Sequence, residues 1–149
     1  MGRDVAIAIS ADAIHYGPDF RQVAFGAGGP QACARAVEKD HALMTGPLAG
    51  PLTVDKIRAL HEALVDPDHP DNYRWTWCGR FSVPLGLLVL ERVARASGGA
   101  VGYPVAYGTS VGWPELRLSD VGITPGGPCN LYHFVGCPGV AFTIADSAR

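Results

Sequence analysis

Apolar and polar positions fall into three patterns along the chain: short apolar runs, stripes at helical spacing, and polar gaps rich in Gly and Pro. The first run, Val5-Ala6-Ile7-Ala8-Ile9-Ser10, is nearly continuous and predicts a strand buried on both faces of a parallel or mixed sheet. It gives way to the polar stretch Ala11-Asp12-Ala13-Ile14-His15-Tyr16-Gly17-Pro18. In α/β sheets, ligands bind in loops beyond the carboxyl ends of strands, so this exit is placed for chemistry. Phe25-Gly26-Ala27-Gly28-Gly29-Pro30 reads as a turn before a helix over 31–43.

Thr53 is suited to cap a second helix, in which Val54, Ile57, Leu60 and Leu64 recur at helical spacing. The prolines and acidic residues of Asp66-Pro67-Asp68-His69-Pro70-Asp71-Asn72 impose a loop. A strongly apolar third helix follows over 83–96, with Ser82 as the expected N-cap and Gly98-Gly99 as the stop. Two further strands are predicted around 101–108 and 139–145, separated by turns. The pattern predicts one α/β domain over residues 1–149, with a mixed, partly parallel sheet flanked by helices and some strands missing. An incomplete sheet of this kind would leave an edge open and favour a homo-oligomer or a missing amino-terminal half.

A hydrophobic share of 48% against 17% charged residues fits a globular protein with a real core and argues against a disordered chain. The formal charge of −2, with Lys and Arg scattered singly, offers no stripe for phosphates, so no nucleic-acid partner is expected. The apolar run from Val83 to Leu90 is far short of the ~20 residues a membrane span needs. Four irregularly spaced cysteines, with no secretory leader ahead of them, point to a reducing, cytoplasmic compartment. The glycines at 26, 28 and 29 miss the third glycine of the dinucleotide fingerprint, and no Walker lysine follows, so no nucleotide cofactor is expected.

Asp12 and His15 form a D-x-x-H pair whose carboxylate and imidazole can line one pocket and move a proton or orient a ligand. The same spacing also suits a turn cap and a packing histidine. Cys78, flanked by aromatic residues and followed by Gly79 and Arg80 ahead of a helix, is a candidate metal ligand or redox thiol, or a buried structural cysteine. Cys129, His133 and Cys137 form C-x3-H-x3-C, which in an extended strand would set neighbours about 13 Å apart, too far for one ion. His69 among aspartates reads as part of a solvated acidic loop, and His41 and His61 as surface residues. Cys33 reads as core.

Two motifs carry a resemblance to a known family. Ile7-Ala8-Ile9-Ser10-Ala11-Asp12-Ala13-Ile14-His15-Tyr16-Gly17 is similar to the apolar strand and S-S-D-x-x-H-[WY]-G loop of the Memo family, also known as AmmeMemoRadiSam system protein B. Thr76-Trp77-Cys78-Gly79-Arg80 resembles its T-x-C-G segment, and Tyr107-Gly108-Thr109-Ser110 its Y-x-x-S strand end. The resemblance implies the carboxy-terminal half of a fold shared with class III extradiol dioxygenases. It further implies Cys78 as metal ligand, Asp12 and His15 as acid/base or supporting residues, and Tyr16 and Arg80 near the pocket. Two upstream histidines that complete the family's metal site have no counterpart in this chain.

The function this implies is a Memo-like metal-binding protein, a redox protein using iron or copper rather than zinc. The alternatives are an extradiol-type ring-cleaving dioxygenase, or a non-enzymatic peptide- or protein-binding module that uses the same pocket. By the same resemblance, AMMECR-like and radical SAM proteins are expected companions.

Overall fold

Thr53 starts its helix as its hydroxyl predicts: the Oγ1 accepts the Lys56 N–H at 3.3 Å, satisfying one of the free donors of the first turn. In the computed structural model, which describes residues 6–112 and 129–144, this is α2 (Val54–Leu64). It follows α1 (Pro30–Thr45), whose first residue is a proline entered from Gly29 at φ 94°, and precedes α3 (Ser82–Ala94). Ser82 opens α3 as its first residue; Phe81 holds the N-cap position without a side-chain cap bond. A short 3-10 turn, Arg95–Ser97, ends at left-handed Gly98, the expected stop.

The strands are β1 (His15–Tyr16), β2 (Gly50–Pro51), β3 (Ala100–Thr109) and β4 (Phe134–Ile144). They form one sheet in the order β1-β4-β3-β2, and every pairing in it is antiparallel. The expectation of a partly parallel sheet is therefore corrected. β3 and β4 pair along nearly their whole lengths, from Ala100 opposite Ile144 to Thr109 opposite Gly136. The register slips between Pro104 and Ala106, where Pro104 has no N–H to donate. Residues 113–128, which include most of the predicted Gly- and Pro-rich turns, lie outside the described residues, as do Val5 and Ala145 at the ends of predicted strands.

The apolar run over 6–10 is not a strand. Ile7 is 61% exposed and Ile9 39%. At strand periodicity only the isoleucines are bulky, and both fall on one side; Ala6, Ala8 and Ser10 have too little surface to bury a second face. Ile9 instead lies over Gly86 of α3, where any Cβ would collide with its Cδ1.

The core joins the buried faces of α1 and α2 to Ile14, Tyr16, Trp75, Trp77 and Phe134. Among the described residues one charged side chain is buried with them. Asp40, on α1, has no exposed surface, and its carboxylate accepts four hydrogen bonds. Oδ1 takes the indole N–H groups of Trp75 and Trp77, each at 2.7 Å. Oδ2 takes the Ile14 N–H at 3.1 Å and the Tyr107 hydroxyl at 2.6 Å. This one group ties α1 to β3, to the segment leading into β1, and to the segment leading into α3.

Candidate functional site

The two sequence motifs, more than 60 residues apart, lie side by side. The Asp12 N–H donates to Cys78 Sγ at 3.0 Å, and the thiol faces back toward the Asp12 carbonyl at 3.7 Å. One step along, the His15 N–H donates to Thr76 Oγ1 at 3.1 Å, and that hydroxyl donates to the His15 carbonyl at 2.9 Å. The segments around 12–15 and 76–78 are thus laced together by backbone and short side chains. On its other side β1 pairs with β4, setting His15 opposite Val135. Trp75 and Trp77 anchor the second segment on Asp40, so Thr76 and Cys78 are held from below.

His15 is oriented by acceptors alone. Its Nδ1 lies 3.1 Å from the carbonyl oxygens of both Ala13 and Thr76. Neither oxygen can donate, so Nδ1 carries the proton, and in the neutral ring Nε2 is left with its lone pair. Nε2 faces Asp12 Oδ2 at 3.9 Å, beyond a hydrogen bond but within electrostatic reach. Asp12 is itself 56% exposed. The ring edge of His15 meets Phe20 at 5.0 Å between centroids, and Phe20 stacks on His133 at 4.6 Å.

These side chains border an open cleft of about 150 Å³ lined by His15, Phe20, Tyr73, Thr76 and Cys78. It presents an imidazole and an exposed thiol beside the rings of Phe20 and Tyr73, while the Thr76 hydroxyl is taken up by the His15 backbone. Asp12 stands at its edge through His15. Arg80 stacks its guanidinium on Tyr73 at 3.8 Å and on Phe81 at 4.9 Å, and donates to the Asp71 carbonyl at 3.3 Å. Arg80 thus touches the cleft through Tyr73 and is not itself among the lining residues. Tyr16 is not at the cleft. Its ring is fully buried and stacked on Phe134 at 5.2 Å, and its hydroxyl donates to Gly26 and accepts from the Phe25 N–H.

Phe20, Tyr73 and Thr76 were not singled out as site residues from sequence. Thr76 lies inside the resembling motif, whereas the two aromatic walls carry no local signal. Asp40 had one: it continues the buried i, i+4 stripe of Ala32 and Ala36 on α1, where a charge demands partners.

His15 Nε2 and Cys78 Sγ are donor types suited to iron or copper. Among the described residues, however, no three His, Cys, Asp or Glu side chains are grouped to hold a metal ion, so this donor set falls short of a metal centre. Cys129, His133 and Cys137 form no three-ligand group among the described residues either, although Cys137 feels the charges of Asp12 and Cys129. Cys129 is exposed, His133 is stacked on Phe20, and Cys137 sits in β4 opposite Gly108. Among the described residues no helix is long and apolar enough to cross a membrane.

No protein-family model, curated protein or solved structure matches the chain.

Proposed function

We propose that the cleft is a Memo-like thiol–imidazole site, in which His15 Nε2 and Cys78 Sγ supply part of the donor set for a thiophilic metal ion, iron or copper. The observation that carries this reading is the direct bond between the motifs, Asp12 N–H to Cys78 Sγ at 3.0 Å, beside an imidazole whose free nitrogen faces Asp12. Residues unrelated by sequence distance share one opening, and the His15 tautomer leaves the ligating nitrogen unprotonated. A complete donor set would need ligands from beyond the described residues, which group fewer than three. A bound ion would supply Lewis-acid or redox chemistry. Asp12 would hold or release a proton beside His15, and Phe20 and Tyr73 would shield one side of the opening.

The experiment is metal uptake by the intact chain with ferrous iron, cuprous copper and zinc in turn, compared with His15→Ala and Cys78→Ala. The reading expects substoichiometric or weak uptake of iron or copper that both substitutions abolish. Uptake unchanged in both variants, or none by the wild-type chain at large excess, would overturn it.

A second reading is favoured by the incomplete donor set itself: a binding module whose aromatic-walled cleft takes a peptide side chain or small ring without metal. Ligand binding that survives Cys78→Ala and proceeds in the presence of chelator would favour it over the first. Ring cleavage of a catechol, lost in His15→Ala, would instead favour the extradiol-type alternative.

A further inference from the structure

α3 contains no charged residue from Ser82 to Leu90, yet of its residues only Pro84, Leu87 and Ala94 are buried. A helix that is apolar on every side is normally covered on every side. Here Phe81, Leu85, Leu88, Val89 and Val93, with Ile9, which lies over Gly86, are each between 39% and 64% exposed. Leu85, Leu88, Val89 and Val93 fall on one side of the helix, with Phe81 at its N-cap position. Next to them, α2 and α3 enclose an apolar groove of about 450 Å³ lined by Val54, Ile57, Phe81, Pro84, Leu85 and Leu88, with Arg58 and His61 also on its wall.

We propose that a second copy of this chain docks on this face, the Val89 and Val93 ridge of each copy entering the α2–α3 groove of the other. The exposed parts of the six residues amount to on the order of 600 Å² of apolar surface, at the upper end of the largest patches on typical monomers. A stable interface takes about 800 Å² from each partner, somewhat more than half of it apolar. The face therefore supplies the apolar area one such interface needs.

Self-pairing is favoured over a different partner by the layout of the face: ridge and groove lie beside each other on a single surface, so a two-fold axis fills both grooves at once. Of the neighbouring charges, Arg58 pairs with Asp55 at 2.9 Å and Glu91 with Arg95 at 2.9 Å, while exposed Arg92 of α3 has to reach solvent at the rim.

The test is sedimentation velocity of the full chain over a concentration series, alongside L85E/V89E, Val93→Lys and Val105→Glu. The first two variants place charge on the proposed interface at exposed positions. Val105, 69% exposed on β3, probes association through a sheet edge instead. The expected result is a wild-type dimer, a monomer for L85E/V89E with an unchanged far-UV spectrum, weakened association in Val93→Lys, and an intact dimer in Val105→Glu. If L85E/V89E fails to fold, Val93→Lys alone decides. A wild-type monomer at every concentration would overturn the proposal and assign the face to a different chain. Dissociation by Val105→Glu, with Val93→Lys still dimeric, would overturn it in favour of edge pairing.

Discussion

Replacing Asp40 with alanine removes the acceptor for four donors at once: two indole N–H groups, the Ile14 N–H and the Tyr107 hydroxyl. Asp40 has no exposed surface, so water cannot take over these bonds without opening the core. Each buried donor left unpaired costs about 1–3 kcal/mol, offset in part because no charge is then held out of water, for a net loss of about 3–5 kcal/mol. Near 150 residues, each kcal/mol moves the midpoint by a few degrees, so Tm should fall by roughly 10 °C. Asp40→Asn is the informative companion. One amide oxygen can still serve both tryptophans, but the amide N–H2 then faces the Ile14 N–H, which cannot become an acceptor. That mismatch should cost about 1–3 kcal/mol, less than the alanine. Urea unfolding followed by tryptophan fluorescence reads both, since Trp75 and Trp77 report on the carboxylate directly. An Asp40→Ala chain within about 1 kcal/mol of wild type, in the range of an ordinary substitution, would refute the assignment of Asp40 as the buried link between these segments.

Burial and the adjacent Asp40 carboxylate push the Tyr107 hydroxyl well above the usual phenol range. The stability of the neutral phenol is fully present below the unfolded value of about 10 and is lost as pH rises beyond it. Wild-type stability should therefore fall above that pH more steeply than in Tyr107→Phe, and parallel slopes in urea titrations at rising pH would contradict this. Burial also raises the Cys33 and Cys137 thiols, whereas Cys78 and Cys129 are exposed. Mass spectrometry after brief alkylation of the native chain should find Cys78 and Cys129 modified first, and equal labelling of Cys33 would count against the fold. Gly136→Ala would place a methyl group 2.6 Å from Asp40 Oδ2 and against the Tyr107 hydroxyl. Overpacking there should cost about 1–3 kcal/mol in unfolding experiments; a neutral effect would mean that the Asp40 cluster is looser than described.

The helices were legible because their signals are local. The Thr53 hydroxyl, the stripe of Ile57, Leu60 and Leu64, and the stop at Gly98 each act within a few residues of themselves. The sheet was not, because strand direction is set by partners far along the chain. The run over 6–10 has the composition of a buried strand, but its alanines give a second face nothing to bury, and two-residue β1 pairs with β4 in its place. Within the site, Asp12, His15 and Cys78 were visible as chemistry-bearing types in short motifs. Phe20 and Tyr73 reach the cleft only through tertiary packing. Tyr16 shows the converse: it follows His15 directly, yet alternation along β1 turns its ring into the core.

The central claim is that the 12–15 and 76–78 segments form one site, with the His15 proton on Nδ1 and Nε2 free beside Asp12. Long-range proton–nitrogen NMR of a Cys129→Ser chain, in which Cys78 is the exposed cysteine left, recorded before and after brief alkylation, tests it most directly. The account predicts an Nδ1–H tautomer for the neutral His15 ring and a shift of its Nε2 signal when Cys78 is modified. An Nε2–H tautomer, or a His15 spectrum that does not respond to Cys78 alkylation, would contradict it.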